Sequence, residues 1–160
     1  MDRSIRIARP DDVASIQELM TEFARFVDLS EAFEVTAERL HDVLFGERSF
    51  VSALIAEVDG GPAGYAIYFP HFSSFRGQEG LFLEDLYVGE KFRGCGLGQM
   101  MLREIAREAK QKGFERIDFQ VLERNLRAIE FYKALGAVSN EDERHFKFDG
   151  PAFEKLARAD

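Results

Sequence analysis

The sequence predicts an α/β domain built around a single mixed, mostly antiparallel sheet flanked by helices. Three observations carry that expectation. Short runs of alternating apolar and polar residues recur along the chain, as strands require. Between them lie stretches with apolar residues every three or four positions, as amphipathic helices require. Three of the strand-like runs also succeed one another across turn signals, so they read as sequential antiparallel neighbours. The length, 160 residues, suits one domain with a real core and is short for two.

The first element is a strand, where residues 4–8 alternate. Pro10, Asp11 and Asp12 mark a helix start, because proline suits the first turn and carboxylates suit the positive end of the helix dipole. Val13, Ile16, Met20, Phe23 and Val27 then form one apolar face. Residues 28–34 break the pattern as a loop. Thr36 caps a second helix running to Phe45, with Leu40, Val43 and Leu44 inward. Residues 49–58 are β-rich, Asp59-Gly60-Gly61-Pro62 is a hairpin signal, and residues 63–69 and 80–88 continue the meander. After a glycine-rich loop, Leu97, Met101, Ile105 and Ala109 sit four apart on a third helix. Gly113 ends it, with Lys110 and Lys112 in the last turn. Residues 114–122 form a strand. Asn125 opens a fourth helix that Gly136 terminates, residues 143–149 alternate as a last strand, and residues 150–159 form a closing helix. The expected order is βααβββαβαβα, with no repeat, low-complexity segment or linker, so residues 1–160 read as one domain.

Composition excludes several classes. No apolar run approaches the roughly 18 residues of a membrane helix, and the first residues contain no apolar stretch of a secretory signal. The formal net charge of -8 argues against a nucleic-acid partner. It suits a cationic substrate, although acidity alone mostly signals solubility. A single cysteine, Cys95, rules out an internal disulfide and a cysteine-based metal cluster, and fits a reducing cytoplasm. His41, His71 and His145 are scattered without metal-ligand spacing, so no metal is expected. Of the three, only His71, in the aromatic loop 69–76, is a candidate neighbour of a substrate.

Gly94, Gly96 and Gly98 alternate just before the third helix. The dinucleotide fingerprint G-x-G-x-x-G fails, because its third glycine falls on Gln99. A P-loop fails too, since Gly98 is followed by Gln99 and Met100 where lysine is needed. Two readings stay open. The glycines serve chain direction only, or they let an anionic group approach the unpaired amides and positive dipole of the helix start, with Arg93 adding charge.

The run Arg93-Gly94-Cys95-Gly96-Leu97-Gly98 matches the signature R/Q-x-x-G-x-G/A of the GNAT acyl-CoA N-acetyltransferases. Residues 82–99 resemble the strand-plus-loop segment of that superfamily. Residues 121–137, with Asn125 opening a helix and Tyr132 after it, resemble its second signature. Together with the ending at residues 148–157, the chain is most similar to the diamine (spermidine/spermine-like) acetyltransferase group. The resemblance implies a GNAT fold in which strands 81–88 and 115–122 splay apart at a bulge in the first. It implies acetyl-CoA as co-substrate. The pantetheine arm would pair with the strand edge at Leu86, Tyr87 and Val88. The pyrophosphate would rest on Arg93, Gly94, Cys95, Gly96, Leu97, Gly98 and Gln99. Asn125, Ala128 and Tyr132 would meet the pantetheine or thiol end. A homodimer is implied as well.

The implied reaction is direct attack of a neutral primary amine on the thioester in a ternary complex. Such amines resemble lysine, with a pKa of about 10.4, so a base is needed, and an acid for the leaving thiolate. By the resemblance Glu84 is the base, through a water, and Tyr132 is the acid. A backbone N–H near Leu86 would hold the oxyanion. The plain readings are that Glu84 is a solvated strand residue and that Tyr132 is core. Period-two alternation puts Glu84 and Leu86 on one strand face and Asp85 on the other, and an acidic pair in an apolar strand is costly unless used. Asp85 is the rival base or a structural group. The acceptor is expected among small cationic amines, meeting Glu31, Phe75, Glu84, Asp118 and Gln120. The sequence departs from the diamine group here. It has no tryptophan, loop 71–80 has no acid before Glu79, and Glu123-Arg124 and Glu143 stand where that group carries tryptophan-containing motifs. Spermidine itself is thus unsupported, and a lysine analogue or short diamine fits as well. Acetylation of a protein N-terminus or lysine, and a non-catalytic CoA-binding module, are the alternatives.

Overall fold

The computed structural model describes residues 1–158; the end of the expected closing helix, Ala159, lies outside them. The elements are β1 (Arg3–Ile7), α1 (Val13–Phe26), α2 (Ala37–Phe45), β2 (Ser52–Val58), β3 (Gly61–Ser73), β4 (Gln78–Val88), α3 (Leu97–Gln111), β5 (Ile117–Phe119), α4 (Leu126–Ala134) and α5 (Gly150–Ala157). Contacts divide the chain into two units, Met1–Leu122 and a second that begins at Glu123.

In the first unit the strands lie in the order β1-β2-β3-β4-β5. β1 to β4 are successive antiparallel neighbours, and β5 pairs parallel to β4. The β2–β3 turn places Asp59 at φ 50° and Gly60 at φ 80°, the two left-handed residues that a tight hairpin demands. Both sheet faces are covered. On one face, Leu97, Met101, Ile105 and Ala109 of α3 are all buried against Leu54, Ala66, Tyr68, Leu81 and Leu83. On the other, Val13, Ile16 and Leu19 of α1 and Leu40 and Leu44 of α2 pack on Ile55, Tyr65, Ile67 and Tyr87. Val43, expected inward, is 49% exposed. It sits one position off the Leu40–Leu44 stripe, and α2 buries only that narrow stripe. Thr36 caps α2 by accepting the Arg39 N–H at 3.2 Å, as expected.

In the second unit Asn125 accepts the Ala128 N–H at 3.3 Å and opens α4, and Gly136, at φ 94°, ends it. The strand expected at residues 143–149 does not form. Alternation gives Phe146 and Phe148 a common face, but a strand also needs a hydrogen-bonding neighbour. These residues enter no strand ladder among the described residues, and both rings are exposed. The expected strand 114–122 contracts to Ile117–Phe119 for the same reason, since only Leu81–Leu83 pair with it. No helix among the described residues is long and apolar enough to cross a membrane.

Candidate active site

The site is organised by one extra residue in β4. Along the β3–β4 ladder Ile67 faces Asp85 and Tyr68 faces Leu83, so Glu84 has no partner and is a β-bulge. A bulge reverses side-chain parity. Leu81 and Leu83 point to the α3 face before it, and Leu86 and Val88 point there after it. Asp85 and Tyr87 thereby turn to the α1 face, where Tyr87 is buried. The strict alternation expected from the sequence is therefore corrected: Glu84 does not share a regular face with Leu86 but is pushed out and exposed. The burial cost foreseen for the acidic pair falls on Asp85 alone.

The bulge also opens the sheet. The parallel ladder joins Leu81, Phe82 and Leu83 to Ile117, Asp118 and Phe119, and stops there. Beyond it, Asp85–Val88 pair with β3 on one side and with no strand on the other among the described residues. The edge at Leu86, Tyr87 and Val88 has no neighbouring strand among the described residues, although the Val88 carbonyl accepts from Arg93 Nε, and it is the kind of edge an extended chain of amide groups can join.

The loop after β4 closes back on the fold. The Gly89 N–H donates to the Ala63 carbonyl at 2.9 Å, and residues Glu90–Phe92 make one 3-10 turn. Gly94 and Gly96 adopt φ of 81° and 87°, a region side chains resist, so here glycine is required. The Arg3 guanidinium donates to the Cys95 carbonyl, and the Cys95 thiol donates to the Phe92 carbonyl. α3 starts at Leu97 with no side-chain cap on its first amides. That leaves N–H donors and the positive dipole end at the loop's mouth, which suits a phosphate. Arg93, expected to add charge to this cradle, donates from Nε to the Val88 carbonyl at 3.1 Å and lies 4.1 Å from the Phe26 ring centroid. It ties the loop to the end of β4.

Asp85 accepts from the Tyr65 hydroxyl at 3.0 Å. Burial pushes its carboxyl up to about 6; the Tyr65 bond opposes that rise, and the Glu84 charge adds to it. Burial above all, with Asp85 beside it, drives the Tyr65 hydroxyl far above the ordinary tyrosine range, so it remains a donor. Next to this pair Tyr87 stacks on Phe23 at 5.3 Å.

With that geometry in place, comparison with known proteins decides the family. The model of the acetyltransferase (GNAT) family matches residues 13–137. The chain belongs to the GNAT acetyltransferase family. It is 34% identical to thialysine N-epsilon-acetyltransferase of Bos taurus over 164 aligned positions, covering 96% of each chain. It is 32% identical to spermidine/spermine N(1)-acetyltransferase-like protein 1 of Homo sapiens, covering 91% of this chain and 22% of that one. The solved structure of an integron cassette protein from V. cholerae superposes with a TM-score of 0.83, at 24% identity and 99% coverage of both chains. The enzyme is an N-acetyltransferase by family, and the mixed, mostly antiparallel sheet flanked by helices that its sequence predicts is observed, with five strands among the described residues instead of six.

Within the GNAT sheet the expected site residues separate into groups. Glu84, Leu86, Tyr87, Val88, Arg93, Gly94, Cys95, Gly96, Leu97, Gly98 and Gln99 run in chain order past the open edge and into α3. Asn125, Ala128 and Tyr132 share one helix in the second unit, where the half-buried Tyr132 ring meets Phe131 at 5.1 Å. The acceptor candidates are more scattered. Glu31 is exposed on the 3-10 turn Ser30–Ala32. Phe75 is fully exposed at the β3–β4 tip, and the six residue steps from Gln78 to Glu84 put that tip about 20 Å from the bulge. Gln120 is exposed just past β5. Both Asp118 oxygens are engaged: Arg116 reaches them at 2.7 and 2.5 Å, and His71 Nε2 stands 2.6 Å from one. Burial opposes it, but Arg116 and His71 hold this carboxyl below its ordinary range. Sequence reasoning missed Tyr65 as the partner of Asp85, because a tyrosine inside an apolar strand carries no mark of its hydroxyl's use. It also missed the Phe69–Phe82 stack, 5.4 Å between centroids, two residues before the bulge. The Phe-rich composition was its one signal.

Proposed function

We propose that this enzyme moves the acetyl group of acetyl-CoA to a primary amine of a small cationic acceptor, a lysine-like amino acid or a short diamine, by direct attack in a ternary complex. The single observation that carries the reading is the Glu84 bulge, which frees the Leu86–Val88 edge immediately before a left-handed glycine loop and an uncapped helix start. The edge fits a pantetheine arm, and the loop with the first α3 amides fits a pyrophosphate. Bound there, acetyl-CoA supplies an activated thioester.

The remaining chemistry belongs to side chains. An alkyl amine with a pKa of about 10.4 arrives protonated at neutral pH, so a proton must leave it. Glu84, exposed on the bulge, takes that proton directly or through a water. Tyr132 provides the proton the leaving thiolate needs, a role that rests on its match to the family tyrosine. Asn125 and Ala128 then bind the thiol end. Glu84 and Asp85 attract the cation, and Phe82 with Phe69 offers an aromatic face to its carbon stem. Asp118, already paired with two cationic side chains, is not needed for that purpose. The relatives named for thialysine and spermidine/spermine point to the same acceptor class. Because the family match crosses from the first unit into the second, we treat both as one catalytic domain, working as a homodimer in the cytoplasm.

CoA release with a panel of amines tests the reading. Lysine analogues and short diamines should accelerate release, and peptides should not. Acceleration by peptides alone would make it a protein acetyltransferase. Acetyl-CoA binding without any active acceptor would leave a CoA-binding module. Tyr132→Phe should lower kcat about 100-fold while sparing acetyl-CoA affinity, and an unchanged rate would remove Tyr132 from the mechanism.

A further inference from the structure

β5 is the weakest member of the sheet. It is three residues long, an edge strand, and joined to β4 by three ladder positions. Yet its divergence from β4 defines the gap. On the α3 face Ile117 and Phe119 pack against the core. On the opposite face a polar bracket reaches it from β3, two strands away. His71 Nε2 lies 2.6 Å from Asp118 Oδ2, and Arg116 clasps the same carboxylate at 2.7 and 2.5 Å. His71 Nε2 is buried and makes no hydrogen bond of good angle, and the Asp118 carboxylate is the charged group it faces at ion-pair distance.

The bracket crosses β4 where β4 has no side chain. His71 pairs with Gly80 in the β3–β4 register. A Cβ on Gly80 would stand 2.9 Å from Arg116 Cγ, 3.1 Å from the Arg116 carbonyl oxygen and 3.1 Å from His71 Nε2. Glycine at this position therefore leaves the passage through which β3 grips β5. The grip is half-buried, with His71 26% and Asp118 30% exposed, so solvent screens it only in part.

We propose that His71, Asp118 and Arg116 are positioning residues that clamp β5 at the root of the gap and so set the gap's width at Leu86–Val88. Leverage makes the clamp matter. From Leu83 to Val88 the open edge runs about 17 Å, so a swing of β5 by about 10° at the root moves the mouth by about 3 Å. Hydrogen bonds along an edge tolerate a few tenths of an ångström, so a loosened root weakens whatever pairs there. This inference rests on the proposed placement of acetyl-CoA.

The test compares His71→Leu, which removes the polar contact, with His71→Gln, which restores a polar group of similar reach. Amide hydrogen exchange at Ile117–Phe119 is followed beside steady-state kinetics. In His71→Leu, exchange at those amides should quicken at least 10-fold while Ile55 in β2 stays protected. The KM for acetyl-CoA should rise about 10-fold with kcat within threefold, and His71→Gln should recover most of both. A His71→Leu protein with lowered Tm but unchanged exchange at β5 overturns the clamp. Faster exchange with unchanged acetyl-CoA KM overturns its link to the gap. Should the wild-type enzyme bind no acetyl-CoA, the functional reading falls, and the exchange measurement still judges the clamp. If His71→Leu fails to fold, Asp118→Asn is judged by the same readouts.

Discussion

The two halves of β4 make an instructive contrast. Gln78–Leu83 is paired with β3, and its last three residues also pair with β5; its inward side chains, Leu81 and Leu83, are buried core. Asp85–Val88 keeps β3 and has no strand on its other side, and it carries a half-buried carboxylate. One residue, Glu84, separates them. The first half shows how a strand behaves when both neighbours satisfy it. The second shows how a fold makes an unpaired edge without unfolding anything: it inserts an extra residue, switches the facing of the next four, and leaves one side of the strand without a neighbouring strand among the described residues.

Deleting Glu84 breaks the contrast most severely. The shortened strand would keep Leu83, Leu86 and Val88 on the α3 face and Tyr87 on the other in a regular ladder, so β4 would lose its bend at the bulge without misplacing a core side chain. The protein should still fold, with Tm close to wild type, while its KM for acetyl-CoA rises about 100-fold as the edge loses its shape. A deletion variant with wild-type kinetics would mean the bulge is not what shapes the edge. Next is Glu84→Gln, which keeps the bulge and removes the base. The kcat/KM for the amine should fall about 100-fold with Tm nearly unchanged, since the side chain is exposed.

Asp85→Asn sharpens the comparison through pH. The Asp85 carboxyl sits near 6 in the folded protein, above its ordinary 3.8. A raised acid binds its proton more tightly when folded, so this group favours the fold below about pH 4. That advantage disappears as pH rises through about 6, where a buried charge must form. The neutral variant should therefore match wild type at pH 4 and exceed it by about 2 kcal/mol at pH 8, read from unfolding curves. Equal stability at both pH values would show that Asp85 is not desolvated. The smallest effect is expected at Gly96→Ala. The φ of 87° costs a side chain about 1 kcal/mol, and its Cβ meets only the Arg3 guanidinium at an ordinary 3.5 Å. Tm should drop by a few degrees, with a modest rise in the acetyl-CoA KM.

Local signals are legible in the sequence where the physics is local. The four-residue stripe of α3 is buried as its spacing demands, and Thr36 and Asn125 cap as their side chains allow. The glycine positions Gly94 and Gly96 are left-handed, as a dense glycine loop implies. Features that depend on a neighbour mislead. Residues 143–149 alternate like a strand yet join no sheet among the described residues, and Asp118 looks available to a substrate until His71 and Arg116 are seen on it. Arg93 reads as phosphate-seeking charge, yet Val88 and Phe26 hold it.

By itself the sequence determined the element order up to the fourth helix, the caps, the left-handed loop and, through two motifs, the family. Each depends on residues close together in the chain, whose spacing and backbone preference act before any tertiary contact. Tertiary structure alone decided that Glu84 is the bulge, that β5 leaves β4 at Leu83, and that Asp85 rather than Glu84 bears the cost of burial. Those outcomes turn on register between strands, and register is a property of pairs that no single strand's pattern contains.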